Sequence, residues 1–321
     1  MTKKELRIVF FGTPDFAVES LRRIVAEGYN VTGVVTMPDK AAGRGHKLIQ
    51  SPVKQFATEN NLYLMQPPKL KDPEFISQLS ALEADLFIVI AFRMLPEAVW
   101  AMPPLGTFNL HGSLLPRYRG AAPINRAIMN GDSETGVTTF FLKHEIDTGD
   151  IIDRCAITVG PDENAGSVHD RLMTLGAELT LKTLDRIING NLNTIPQDQL
   201  ADEAEPCTAP KIFKEDCRID WNRSARQVHN HVRGLSPYPG AWTTIAMQGS
   251  EPSDIKILAT KTVDETACHS KPGHIVIDNQ RLIVECATGS LEILEVQPTG
   301  KRRMPASDWL RGARISEADF L

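Results

Sequence analysis

Leu6-Arg-Ile-Val-Phe-Phe-Gly12-Thr-Pro-Asp-Phe-Ala-Val-Glu-Ser-Leu-Arg-Arg-Ile-Val25 is the stretch that decides the fold. A short apolar run ends at Gly12, and after Pro14 the apolar residues return at helical spacing. A buried strand over 6–11 therefore feeds a helix through a tight turn. Strand signals recur at 31–36, 62–65, 85–90 and 107–110, with helix candidates between them. Such alternation predicts an open, mostly parallel α/β sheet covered by helices on both faces, with ligands held beyond the carboxyl ends of its strands.

Two further strands, 137–142 and 151–159, flank Lys143-His-Glu-Ile-Asp147-Thr-Gly-Asp150, an acidic, turn-rich connection that puts Asp147 on a loop. A long helix is expected over 165–188, with Gly190 as its stop. Beyond it the pattern dissolves into Asn, Asp, Gln, Glu and Pro, which reads as an inter-domain linker. Short alternating segments at 241–247, 254–260, 273–277, 281–286 and 291–296 then suggest a small β-rich domain such as a barrel. The expected division is a first domain over 1–190, a linker over 191–208 and a second domain over 209–321.

Composition sets outer bounds. At 321 residues, 42% hydrophobic and 23% charged, the chain is of ordinary globular type and long enough for two domains. The apolar run at 8–11 is too short for a signal peptide, and no run approaches the roughly 20 residues of a membrane span, so the cytoplasm is expected. Five cysteines, an odd number without a close pair, fit reduced thiols better than a disulfide framework or a zinc site. A net charge of −5 gives no general reason to expect nucleic acid, so such a partner needs a local basic patch.

Chemistry concentrates in Asn109-Leu-His111-Gly-Ser113-Leu-Leu-Pro116-Arg-Tyr-Arg119-Gly120. Residues i and i+2 of a strand share a face, so Asn109 and His111 aim at one point. An amide donor beside a base that works near neutral pH, with Asp147 on a nearby loop, is the minimum kit for acyl transfer. His144 is a rival base without an Asn on its face. His229-Asn-His231 has metal-ligand spacing but lies in a helical pattern, where i and i+2 point apart, and reads as core or surface. The connection 38–48 carries Lys40, Arg44 and Lys47; Leu48 after Lys47 breaks the Walker A pattern, and Gly12 stands without a GxGxxG, so no nucleotide cofactor is expected. No metal is expected either.

Phe11-Gly-Thr-Pro-Asp-Phe-Ala, the segment 109–120 and Ile146-Asp-Thr-Gly-Asp150-Ile together resemble the 10-formyltetrahydrofolate-dependent formyltransferases. Ala209-Pro-Lys-Ile-Phe-Lys-Glu215, Ile219-Asp-Trp221 and Val232-Arg-Gly-Leu-Ser-Pro-Tyr-Pro-Gly240-Ala-Trp extend the resemblance over nearly the whole chain, toward those members whose acceptor is a charged tRNA. The resemblance implies a Rossmann-like catalytic domain followed by an OB-like barrel. It implies transfer of formyl from 10-formyltetrahydrofolate, as cosubstrate, to the α-amino group of methionine on initiator tRNA. Asn109, His111 and Asp147 take the catalytic positions, and Ser113, Leu114, Leu115 and Pro116 the folate site.

Phe92, Arg93, Met94 and Leu95 resemble the segment that walls the pterin pocket, although many relatives carry Tyr-Gly where this chain has Phe92-Arg93. The loop with Lys40, Arg44 and Lys47 is similar to one that wedges into the acceptor stem, with Arg44 the leading candidate. Lys301, Arg302 and Arg303, with Arg311 and Arg314, form a second basic cluster that could track phosphates. A monomer is expected. Two other readings compete: a formyltransferase acting on a small amine, such as a nucleotide-linked amino sugar or glycinamide ribonucleotide, and a non-catalytic tRNA- or folate-binding protein.

Overall fold

The computed structural model describes residues 1–42, 47–203, 207–247, 251–313 and 318–321. The chain packs as two compact units that are not contiguous in sequence. The first comprises Met1–Gly120, Gly136–Ile157 and His169–Thr208, and the second Ala121–Thr135, Thr158–Val168 and Ala209–Leu321.

The first unit is built on strands β1 (Arg7–Gly12), β2 (Asn30–Val35), β3 (Leu64–Met65), β4 (Leu86–Ile90), β5 (Thr107–His111), β6 (Glu134–Phe141) and β7 (Ile151–Thr158), ordered β7-β6-β5-β4-β1-β2-β3. Pairings β1/β2, β1/β4, β2/β3 and β4/β5 are parallel, and β5/β6 is antiparallel. Strand β1 is buried on both faces, as a central strand of a helix-covered sheet must be. The helix Asp15–Ala26 follows it and buries Phe16, Ala17, Leu21 and Ile24. Gly12 makes that approach possible: a Cβ there would lie 2.7 Å from the Cβ of Ala17. Both β1 neighbours are parallel, but β2 follows it directly while β4 comes from the far side of the chain order. Order therefore reverses between β1 and β4, the switch point beside whose carboxyl ends sheets of this kind hold their ligands.

The long helix spans Ala165–Ile188, and Gly190, at φ +69°, follows it in the left-handed region, as the sequence predicts. The segment read as a linker differs from expectation. Ile195 pairs antiparallel with Ile151, and Gln197 is 3% exposed at the start of a 3₁₀ turn, so part of this polar stretch is tied to the first unit.

In the second unit Ala241–Met247, Ser253–Asp264, Ile275–Asp278, Arg281–Glu285, Ser290–Pro298 and Ala318–Phe320 form an antiparallel sheet. A bridge between His274 and Asp319 brings its two ends together, giving a nearly closed, OB-like barrel. Ile245, Ile257, Leu282, Val284, Leu291, Ile293 and Trp221 fill its core. The helix Ala225–Leu235 starts at a capping box between Ser224 and Gln227. The short helix Pro123–Asn130 packs against it, and Asn125 donates from Nδ2 to the Gly234 carbonyl at 2.7 Å. A segment from the first half of the sequence thus belongs to the barrel unit.

Candidate active site

Strand β5 ends at the site. Asn109 lies opposite Val89 on one side and Phe140 on the other, and His111 opposite Thr138. The His111 ring is 7% exposed and meets Phe140 edge-on. Its Nε2 is 2.8 Å from the carbonyl oxygen of Tyr118. A carbonyl can only accept, so Nε2 carries a hydrogen and donates, and Nδ1 is the ring atom left to take or release a proton. Nδ1 faces Asp147, whose Oδ2 is 3.9 Å away.

That distance exceeds a hydrogen bond. Tyr118 therefore orients the ring, and the Asp147 carboxylate faces its free nitrogen. Asp147 has its own anchor, since the Gly120 amide donates to Oδ2 at 2.9 Å. Both side chains are therefore referred to the same short backbone stretch, 118–120. Asp147 sits at φ +54°, and two residues on, a Cβ at Gly149 would lie 1.5 Å from the Phe141 carbonyl oxygen. Only glycine lets the Asp147 loop fold back so tightly against β6.

Thr138 ties the next loop to the sheet: its Oγ1 donates to the Ser113 carbonyl at 2.7 Å and accepts from the Leu115 amide at 3.1 Å. Leu115 packs with Phe140 and Ile151, while Leu114 and Pro116 stay half-buried. The 92–95 segment leaves the end of β4, the parallel neighbour of β5, so the two expected folate segments leave the same edge of the sheet. Phe92 meets Phe11 edge-on, Leu95 is buried, and Met94 is 76% exposed. Arg93 is held: its guanidinium donates to the carbonyls of Pro67 and Pro68 beside the Phe92 ring, and burial lowers its pKa. Its side chain fixes the 67–68 turn.

The basic candidates are distributed over both units. Lys40 opens a two-stranded ribbon, Lys40–Ala42 with Lys47–Ile49, in which Ala42 lies opposite Lys47. Exposed Leu48 and Ile49 give this ribbon an apolar edge. Arg44 and Arg314 lie outside the described residues. In the barrel unit Lys301 and Arg302 are exposed, Arg303 pairs with Glu295, and Arg311 pairs with Asp308. His144 is exposed. His229 and His231 are core residues; burial lowers both pKa values, and His229 is bonded through Nδ1 to Thr260 and through Nε2 to the Pro161 carbonyl.

Two features escape the sequence reading. One is Gln197, inside the supposed linker. The other is a groove of about 660 Å³ on the barrel, lined by Phe213, Lys214, Tyr238, Trp242 and Lys256 among others. Lys211 lies over the Phe213 ring and Lys214 over Trp242. Lys211 and Lys214 flank Phe213, which is the local signal that could have found it.

A strand-end Asn and His, an acidic loop and two segments leaving adjacent strand ends lie at one sheet edge, a candidate site for acyl transfer, and the family follows from comparison. Residues 6–184 match the formyl transferase family model and residues 211–314 the formyl transferase C-terminal domain model. The chain belongs to the formyl transferase family. Among curated relatives of this formyl transferase, a Bacteroides fragilis protein named methionyl-tRNA formyltransferase is 53% identical over 319 residues, covering 99% of this chain and 98% of that one. A Porphyromonas gingivalis protein of the same name is 48% identical, with 100% of each chain covered.

Among solved structures, the sugar 3N-formyl transferase WlaRD superposes with a TM-score of 0.65 at 19% identity, over 92% of this chain and 99% of that one. HypX from Aquifex aeolicus, solved in complex with tetrahydrofolic acid, gives 0.61 at 18% identity over 95% of this chain. This formyl transferase spans 46% of the HypX chain. At these identities the likeness is one of fold. Among the described residues no helix is long and apolar enough to cross a membrane.

Proposed function

We propose that this formyl transferase moves the formyl group of 10-formyltetrahydrofolate to the α-amino group of methionine on initiator tRNA, giving formylmethionyl-tRNA for translation initiation. What supports the reading is the placement of Asn109 and His111 two residues apart at the end of β5, with the Asp147 carboxylate 3.9 Å from Nδ1 of His111, in a chain whose full-length relatives share the name methionyl-tRNA formyltransferase. The folate lies against Phe92, Arg93, Met94 and Leu95 on one side and Ser113, Leu114, Leu115 and Pro116 on the other. The backbone and the half-buried Leu114 and Pro116 form the wall, since the Arg93 guanidinium is spent on Pro67 and Pro68.

The neutral amine attacks the formyl carbon, forming the new C–N bond and a tetrahedral oxyanion. The Asn109 amide and a proton on Nδ1 of His111 stabilise that charge, and the Asp147 carboxylate, 3.9 Å from Nδ1, stabilises the imidazolium. Collapse breaks the bond to N10 of the folate, and the proton lost by the amine ends on N10 by way of Nδ1 or water. Arg44 with Lys40 and Lys47 engages the acceptor end of the tRNA, and Lys301, Arg302 and Arg303 its phosphates. The reaction takes place in the cytoplasm, where charged tRNA is made and used, and a monomer carries the whole catalytic set.

The test is transfer of labelled formyl from 10-formyltetrahydrofolate to initiator Met-tRNA, with elongator Met-tRNA and a nucleotide-linked amino sugar as controls. Labelling of the initiator alone is expected. Equal labelling of both tRNAs sinks the initiator claim, and preferential labelling of the sugar sinks the tRNA reading.

A further inference from the structure

Gln197 is 3% exposed and fully bonded. Its Nε2 donates to the carbonyl of Asp147 at 2.9 Å and to that of Gly149 at 2.8 Å. Its Oε1 accepts from Nε of Arg119 at 3.0 Å and from Nη2 at 2.7 Å. Two donors and two acceptor sites are all that an amide has. Arg119 also fixes which way the amide faces: turned over, it would set its NH₂ against a guanidinium and its oxygen against two carbonyls.

The four bonds close a circuit around the reacting pair. Arg119 precedes Gly120, whose amide holds the Asp147 carboxylate, and Tyr118 on its other side holds the His111 ring. Asp147 itself sits in the left-handed region, at φ +54°, a conformation that persists only where the surroundings over-determine it. Gln197 grips the main chain on both sides of the peptide that follows. The fold brings it there by the Ile195–Ile151 bridge, one residue past Pro196.

We propose that Gln197 is a positioning residue for the transfer reaction: it holds the Asp147 loop so that the carboxylate faces Nδ1 of His111. The inference rests on the reading of Asp147 as a catalytic residue. A side chain that only filled space here would set stability and leave turnover per folded molecule alone. Gln197 instead sets the placement of a group on the chemical path, where misplacement by about 1 Å can cost roughly 10²-fold.

The experiment uses the full chain and steady-state formyl transfer to Met-tRNA, with Gln197→Met, Gln197→Glu, Asp147→Asn and the double variant Gln197→Met with Asp147→Asn. Gln197→Met keeps the volume without the bonds; Gln197→Glu keeps the Arg119 contact but turns an oxygen on two carbonyls, so a folded form of at least one is obtained. Each is expected to lower kcat by ~10-fold or more with KM for folate and tRNA within ~2-fold of wild type, and the double variant is expected to be no slower than Asp147→Asn alone. Wild-type kcat in either folded Gln197 variant, or a double loss equal to the product of the single ones, overturns the clamp. Wild-type kcat in Asp147→Asn instead overturns the reading of Asp147, a separate result.

Discussion

His111 and His229 are both buried, at 7% and 1% exposure, and both bond a backbone carbonyl through Nε2. They differ in what the other nitrogen does. Nδ1 of His229 is 2.9 Å from the Thr260 hydroxyl, so that ring is complete within the barrel unit. Nδ1 of His111 has a carboxylate 3.9 Å away, and among the described residues no hydrogen bond. His229 is saturated by the fold; His111 is saturated on one side and left to exchange a proton on the other. The surrounding elements agree. His229 stands mid-helix among buried neighbours, whereas His111 ends a strand where the chain turns to loop.

Exchanging the two histidines for inert residues is the strongest way to break this contrast. His111→Asn is expected to lower kcat per folded molecule by at least ~10²-fold, with a stability cost of about 1–2 kcal/mol from the lost bond to the Tyr118 carbonyl. His229→Leu is expected to spare the chemistry. Turnover per folded molecule stays put, while stability falls by about 1–3 kcal/mol because Thr260 Oγ1 and the Pro161 carbonyl lose their partner. Chemical denaturation and formyl transfer measured on the same two variants check both halves. A His111 variant with retained kcat, or a His229 variant that is stable but inactive, inverts the comparison.

The same contrast marks what a sequence can carry. The placement of Asn109 and His111 on one strand was legible because a two-residue spacing in a strand is local, and that of Asp147 on a loop because a turn-rich run between two strands announces one. The strand and helix at Arg7–Gly12 and Asp15–Ala26 were legible for the same reason. Gln197 was not. Its partners lie 78, 50 and 48 residues away, and nothing in a stretch of Pro, Gln, Asp and Leu distinguishes a buried amide from a solvated one. The helix Pro123–Asn130 gives no sign of belonging to the barrel unit either, because the surface it covers, around Gly234, is 109 residues from Asn125. That Arg93 turns onto Pro67 and Pro68 likewise depends on a distant turn. Periodicity reports which face of an element is buried, but not against which partner.

A smaller effect separates the histidines by pH. Burial lowers the pKa of both His229 and His231. Asp162 pulls His229 up, while Arg233 and Arg226 push it down; Asp216 pulls His231 up against Arg223 and Arg126. In the unfolded chain both return to about 6.5, so below that pH the unfolded state binds protons that the folded state refuses. Stability is therefore full above about pH 6.5 and declines as pH falls toward the folded values. Melting at pH about 7.5 and about 5.5 should show the decline in the wild type and a shallower one in His229→Leu. Carboxylates held down by partners, such as Asp264 and Asp319, act in a separate window below their ordinary 3.8. A wild-type melting temperature flat between the two pH values would show that burial leaves these rings free to charge.

The least effect is expected where charge is most exposed, and there a neighbouring pair sharpens the distinction between structure and binding. Arg303 is paired with Glu295 on the barrel surface, an exposed ion pair whose loss costs about 1 kcal/mol at most. Arg302 is exposed beside it. If Lys301, Arg302 and Arg303 follow the tRNA backbone, Arg302→Ala weakens tRNA binding at any sequence and lowers the slope of log affinity against log salt by roughly 1, one released counterion per lost phosphate contact. Arg303→Ala changes the slope less, because in the free protein Arg303 is paired with Glu295 and that partner must be displaced before a phosphate is engaged. Filter binding across a salt series decides it. A slope unchanged in Arg302→Ala removes this cluster from the tRNA interface and shifts attention to the groove bearing Lys214, Tyr238 and Trp242, where cations already stand over aromatic rings.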